Sequence, residues 1–514
     1  MKRAQLVSPG SIARMLNASG EAWERKDFQQ SIEILERASR LDPANAQVLL
    51  QLGRCHGLRY DYASAERCFE KAIRVAPKKT EAMATAAQAC TEFGSHQMAE
   101  GYFNRALKQN DASPELFARM AEFYEHLARV DEARALVDRA LHLDRKCAPA
   151  LLMRARLDRQ AGRLEDAERT LRSFPANAER HMRAGGYYEL GMVLDRLGRY
   201  DEAMAAFLEA KALLRPDVTP LLTRLQKARS LIRDRQSGFT AEAFRRWHEF
   251  GSHLQPVRRL AFLGGHPRSG TTLLEQVLDS HPDIVSAEET KVFVDDVLKP
   301  LSSSLADGSP MLAFLEPAQT DALQQRRAAY FRSMDLLLAK SVADRLLIDK
   351  NPALTVLIPA FIRVFPETKV LVALRDPRDV VLSCFMQTTV QITPDNASYL
   401  SLGETADGYT LVMGGWRKFA PLIKNPWLEV KYEDTVEDLE SVSRRVLEFM
   451  GVPWDARVLA FHEHARQKWV KTPSYADVTK PVFKRAVGRW RNYQKYLEPH
   501  LEKLEPFVKA FGYC

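Results

Sequence analysis

The stretch GGHPRSGTTLLEQVLDSHP, Gly264 to Pro282, has the form of a phosphate-gripping loop that feeds a helix. Gly265-His266-Pro267-Arg268-Ser269-Gly270-Thr271-Thr272 fits the pattern G-x-x-x-x-G-K-[ST] except at Thr271, where the lysine should stand. The glycines permit positive φ and close backbone approach, and the amides that open the following helix point at an anion. In triphosphate enzymes the lysine spans the terminal phosphates while the next hydroxyl holds magnesium. Here Arg268 stands three residues before Thr271, and Ser269, Thr271 and Thr272 add hydroxyl donors. That set suits one tetrahedral anion gripped without a metal.

Outward from the loop, short apolar runs alternate with amphipathic helices. RLAFLGG (259–265), RLLIDKNP (345–352), KVLVALRDP (369–377) and WLEVKYED (427–434) read as buried strands. Helical patterns follow over 271–280, 353–364, 378–386 and 439–450. Such alternation predicts an α/β domain, a parallel sheet covered by helices on both faces, with ligands at the carboxyl ends of the strands. The loop lies at one such end.

The N-terminal part is built differently. Small residues recur in columns: Gly53, Ala87, Ala121, Ala155 and Gly191; Ser31, Ala65, Ala99, Ala133, Ala167 and Ala203; Ala38, Ala72, Ala106, Ala140 and Ala210. A bulky column, Leu35, Phe69, Phe103, Val137, Leu171 and Phe207, keeps phase with them. The spacing is the 34-residue period of tetratricopeptide repeats, in which paired helices approach closely only where side chains are small. About six units fill residues 11–216, a helical linker is expected over 217–256, and the α/β domain over 257–514. Helical solenoids of this kind offer concave surfaces that take peptides or other proteins.

Composition narrows the function classes. The chain has 514 residues and 74 basic against 66 acidic side chains, a net charge of +8. This mild excess suits anionic partners but, without basic runs interleaved with aromatics, does not indicate nucleic acid. No stretch reaches the roughly 18 to 20 apolar residues of a membrane span, and the N-terminus lacks a signal-peptide core. The six cysteines are scattered, with no metal spacing, and read as reduced thiols of a cytoplasmic protein.

PRSGTT together with HPDIVSAEET resembles the sulfotransferases that use 3′-phosphoadenylyl sulfate (PAPS), and among them the tyrosylprotein sulfotransferase branch. The resemblance covers roughly 257–514. It implies that Arg268, Ser269, Gly270, Thr271 and Thr272 bind the 5′-phosphosulfate. It also implies that the glutamate-glutamate-threonine segment supplies the base, and spacing from the arginine selects Glu289 over Glu288. DKNP carries Lys350 near the transferring group, and LRDPRDVVLSCF resembles the 3′-phosphate element, giving Arg375 and Ser383. VKYED supplies Tyr432 beside the adenosine. TPSYADVTKPVFKRAVGRW resembles the C-terminal cofactor loop, with Ser474 near the reacting centre and Lys480 and Arg489 on the cofactor.

This chain departs from the branch twice: Gln387 stands where another arginine follows the 3′-phosphate serine, and Lys291 replaces an arginine that contacts the acceptor. The animal enzymes of the branch are membrane-anchored, whereas this chain shows no anchor.

In-line transfer of a sulfuryl group depends on positioning and charge stabilisation. The attacking hydroxyl must lose its proton to a base, and the leaving phosphate oxygen gains charge. Glu289, Lys350 and Ser474 meet those needs, while Arg375 with Ser383 would select PAPS over ATP. The sequence therefore reads as a PAPS-dependent sulfotransferase that releases 3′,5′-ADP, most consistent with protein tyrosine as acceptor and a repeat arm that recruits the protein or peptide. Two alternatives stand: transfer to a glycan, lipid or small hydroxyl compound, and a non-catalytic adaptor in which the solenoid is the function.

Overall fold

In the N-terminal columns, the alanines at 38, 65, 72, 87, 99, 106, 121, 133, 140, 155, 167, 203 and 210 are all fully buried in the computed structural model of the chain. The structure describes residues 9–24, 27–303, 305–306, 309–338, 344–387, 396–466 and 475–513. It divides into two compact parts, Met1–Arg154 and Ala155–Cys514.

In the first part, helices pair as α1 (Pro9–Glu24) with α2 (Phe28–Leu41), α3 (Ala46–Leu58) with α4 (Tyr62–Val75), α5 (Lys79–Phe93) with α6 (His96–Leu107), and α7 (Pro114–His126) with α8 (Val130–Leu143). Side-chain caps fix where several begin: Asp27 accepts from the Gln30 amide, Asn45 from Val48 and Asp61 from Ser64. Helix α9 (Ala148–Gln160) runs across the division, and α10 (Leu164–Arg172), α11 (Arg180–Arg196) and α12 (Tyr200–Arg235) belong to the second part.

The small and bulky columns interlock. A Cβ on Gly53 would lie 2.6 Å from the ring of Phe69, and one on Gly191 would lie 2.6 Å from the ring of Phe207. The same pairing in two separate repeats explains why the columns stay in phase: the absent side chain is the seat of the bulky one.

The helix of the last repeat continues past residue 216. Helix α12 runs through residue 216 with Pro216 and Pro220 inside it, and it is bonded to the elements that follow. Lys211 Nζ donates to the Tyr399 carbonyl (2.7 Å) and sits over the rings of Tyr188 and Phe385. Arg229 donates to both the side chain and the carbonyl of Glu404. Beyond it come α13 (Ala241–Gly251) and the sheet.

The five strands are β1 (Leu260–Gly265), β2 (Ile284–Glu288), β3 (Leu346–Lys350), β4 (Lys369–Leu374) and β5 (Trp427–Lys431). They pair in parallel in the order β2-β3-β1-β4-β5. Alternation on β1 serves both faces. Ala261 and Leu263 pack in one cluster with Leu274, Val277, Val446 and Leu447, whereas Phe262 meets Phe361, which in turn meets Phe293 and Tyr330.

Four strands lie where the sequence reading expects them, while β2 was not anticipated. Its five residues contain only two strong strand formers, Ile284 and Val285, and its burial comes from the neighbouring layers. The helix expected over 353–364 is a 3₁₀ turn at Pro352–Leu357 followed by an α-helix at Ile358–Val364.

Because the sheet is wholly parallel, the carboxyl ends of all five strands open on one edge. They deliver Gly265, Glu288 with Glu289, Lys350, Arg375 and Tyr432 to that edge.

Candidate active site

Helix α14 (Thr271–Asp279) begins directly after the loop, with Gly270 as its N-cap at φ +90° and no side-chain cap. Glycine is required there twice over: the left-handed φ disfavours a side chain, and a Cβ would lie 2.7 Å from the Tyr432 ring. The first-turn amides therefore carry no side-chain cap on the side where Gly270, Thr271, Thr272 and Leu273 line a cavity of about 620 Å³. An uncapped helix N-terminus with hydroxyls beside it attracts an anion through both its donors and its dipole.

Arg268 and Glu289 also line the cavity, as do Arg375, Ser383, Tyr432, Lys480 and Arg489. Two expected residues stand apart from this wall, and a third is not described. Ser269 is buried behind the loop, its amide bonded to the His266 carbonyl (3.1 Å). Lys350 is fully buried beneath the cavity, and Ser474 lies outside the described residues.

Lys350 is the hub of a carboxylate cluster. Its Nζ lies 2.9 Å from Glu289, 3.4 Å from Glu288 and 3.4 Å from Glu275, which also accepts from Ser286 Oγ (2.7 Å). Burial alone would lower the ammonium, but Glu275, Glu289 and Glu288 together outweigh it and hold Lys350 charged, above its ordinary range. Geometry separates the two adjacent glutamates. Glu288 is buried, while Glu289 keeps 40% of its side chain exposed and faces the cavity. Glu289 reaches that position in a left-handed conformation (φ +47°), with its amide bonded to the Lys350 carbonyl (2.7 Å). Strain of this kind in a side-chain-bearing residue persists only where the surroundings enforce it.

On the other side of the loop, Arg375 is held by backbone acceptors. It donates to the carbonyls of Arg268 (3.2 Å) and Ala486 and lies over the Tyr432 ring. Arg268 Nε donates to Ser383 Oγ (3.2 Å), and burial lowers the Arg268 guanidinium from its ordinary value. Asp379 accepts from the amides of Gly488 (2.7 Å) and Trp490 (2.8 Å), which fastens the C-terminal segment against this element. Gln387 lines the same cavity.

Sequence reasoning missed a whole wall. Met192, Asp195, Arg196 and Tyr200, all from the last helix pair, line the cavity together with Tyr399, Asp477 and Arg485. Asp195 pairs with Arg489 (2.7 Å) and accepts from Tyr493 (2.7 Å), so the charge of Arg489 is already matched from the repeat side. Nothing in the repeat periodicity marks these positions, because they lie off the packing columns.

The arrangement thus unites an anion-attracting helix start, several guanidinium groups and an accessible carboxylate beside a buried ammonium. Chemically, it can hold a phosphorylated ligand and take a proton from a hydroxyl near it.

In comparison with known proteins, residues 261–456 match the sulfotransferase family and residues 60–115, 91–157 and 184–213 match tetratricopeptide repeats. An uncharacterized protein of Aquifex aeolicus is 28% identical over 351 residues, 66% of this chain and 44% of that one. The protein-tyrosine sulfotransferase of Drosophila melanogaster is 30% identical over 237 residues, 45% of this chain and 46% of that one. Protein-tyrosine sulfotransferase 1 of Danio rerio is 26% identical, over 45% of this chain and 65% of that one. The matched stretch is thus about half the length of the first two of these relatives. Among solved structures, the sulfotransferase domain from the Synechococcus PCC 7002 olefin synthase aligns at a TM-score of 0.33 and 21% identity, covering 46% of this chain and 89% of that domain.

Proposed function

We propose that this chain, a sulfotransferase domain joined to tetratricopeptide repeats, uses PAPS as donor and a protein tyrosine hydroxyl as acceptor. The observation that carries the reading is the shared wall of one cavity, where the uncapped start of α14 and the exposed Glu289 carboxylate stand together. A volume of about 620 Å³ lies within the range of ordinary ligand sites.

The donor set fits a nucleotide bearing anions at two positions. The α14 amides with Thr271 and Thr272 would hold the 5′-phosphosulfate, and Arg375 with Ser383 the 3′-phosphate, while Tyr432 lies against the loop where an adenosine could rest. When bound, PAPS supplies a sulfuryl group whose bond to the 5′-phosphate oxygen breaks as sulfur joins the acceptor oxygen, leaving 3′,5′-ADP.

The remaining work belongs to the chain. Glu289 takes the acceptor proton, and Lys350 fixes its orientation by the 2.9 Å contact from below. Loop amides and hydroxyls oppose the charge that gathers on the leaving oxygen. The acceptor class is supported by the matched relatives that bear the name protein-tyrosine sulfotransferase.

Thermal unfolding in the presence of EDTA tests the donor assignment. 3′,5′-ADP should raise the melting temperature, and ATP should do so far less. An equal response to both nucleotides, or a strict need for magnesium, would contradict it.

A further inference from the structure

We propose that Arg196, the last residue of α11 in the repeat, joins Lys480 and Arg485 in an anion site that receives the second phosphate of a nucleoside bisphosphate. The proposal rests on the donor reading above.

Arg196, Lys480 and Arg485 all line the cavity, as do the carboxylates Asp477 and Asp195. Asp477 is committed to Arg485 at 2.8 Å. Neither Arg196 nor Lys480 has an ion-pair partner among the described residues. The nearby Arg159 does not change that balance, since Glu189 neutralises it. Arg196 is nevertheless positioned: its Nη1 donates to the Arg159 carbonyl at 2.7 Å. Next to it, Asp195 ties the end of α11 to Arg489 and Tyr493, so the repeat and the C-terminal segment form one wall.

Gathering like charges in a partly desolvated wall is unfavourable unless an anion arrives. Burial, then the neighbouring Arg159 and Arg485, brings Arg196 down to about 10. Lys480 is lowered by burial first and by Arg196 next.

The identity of the anion follows from what surrounds the cluster. The α14 N-terminus offers a separate place for a first phosphate, so a ligand bridging both must carry two. The residue adjacent to Arg485, Ala486, accepts the hydrogen bond from Arg375, which ties the segment carrying Arg485 to the Arg375–Ser383 element, so both can address one phosphate. Gln387 lines that cavity without charge where the sequence resemblance expects an arginine. Arg196 supplies a cation to the same cavity from the end of α11.

The test is calorimetric titration of the full-length protein with 3′,5′-ADP and with 5′-AMP. Arg196→Gln should weaken 3′,5′-ADP roughly tenfold or more, the loss of one charge-assisted hydrogen bond, and leave 5′-AMP nearly unchanged. Arg196→Lys, which keeps the charge, should retain most of the discrimination and serves if the glutamine variant fails to fold. Equal weakening of both nucleotides, no weakening of either, or an effect confined to the KM of an acceptor peptide would overturn the proposal. A wild-type chain that binds neither nucleotide instead overturns the donor reading, and this proposal with it.

Discussion

Glu289→Gln is expected to depress turnover by about a hundredfold or more while leaving 3′,5′-ADP affinity near that of the wild type. The substitution keeps the shape and the hydrogen-bonding reach of the side chain and removes its capacity to accept a proton. Its surroundings favour a specific loss. Glu289 is the member of the carboxylate cluster that faces the cavity, and its left-handed backbone holds it there. Single-turnover kinetics with PAPS, compared with nucleotide titration, separates the two quantities. Glu288→Gln is the informative neighbour, since its carboxylate is buried and off the cavity wall. If the Glu288 variant is the one that loses turnover, the base has been assigned to the wrong glutamate.

Lys350→Met should lower stability as well as turnover, because it removes both the cation of the buried cluster and the group that orients Glu289. The substitution removes the ammonium that pairs with Glu275, which has no exposed side-chain surface, and with the buried Glu288. Removing one partner of a buried ion cluster costs about 3 to 5 kcal/mol, because the remaining buried charge is less well compensated. Urea unfolding of the intact chain measures it, and the double variant Lys350→Met with Glu275→Gln should recover part of the loss because one buried negative charge is gone. A Lys350→Met protein of normal stability but low turnover would mean that the lysine acts on the chemistry directly and that the cluster tolerates its absence.

These two predictions draw on residues that were legible to different degrees before the fold was known. Glu289 and Lys350 could be named from their motifs, yet their partnership could not. Glu275 sits mid-helix in α14 as an ordinary glutamate of an amphipathic pattern, and only the β1–β3 pairing brings that helix over Lys350. Strands β1, β3, β4 and β5 were readable because each is a short apolar run bounded by charge or proline. Strand β2 was not, since IVSAE mixes strand formers with residues that suit a turn as well.

The repeat was the clearest feature of all, because its packing demands small residues at fixed intervals. That same clarity hid its contribution to the cavity. Asp195 and Arg196 lie between the columns, where periodicity imposes nothing, and their role comes from α12 being bonded through Lys211 and Arg229 to the elements that carry Tyr399 and Glu404. A cut at residue 216, which the sequence suggested as a domain edge, would pass through α12 and remove one wall of the cavity.

The most direct measurement is mass spectrometry of the reaction of the full chain with PAPS and a tyrosine-containing polypeptide, with 3′,5′-ADP quantified in the same sample. The account predicts that the polypeptide gains one sulfuryl group on a tyrosine for each 3′,5′-ADP released, in the presence of EDTA, and that the Glu289→Gln protein yields neither product at a comparable rate. Release of 3′,5′-ADP without sulfation of the acceptor, or no consumption of PAPS by a chain that is folded and binds 3′,5′-ADP, would contradict it.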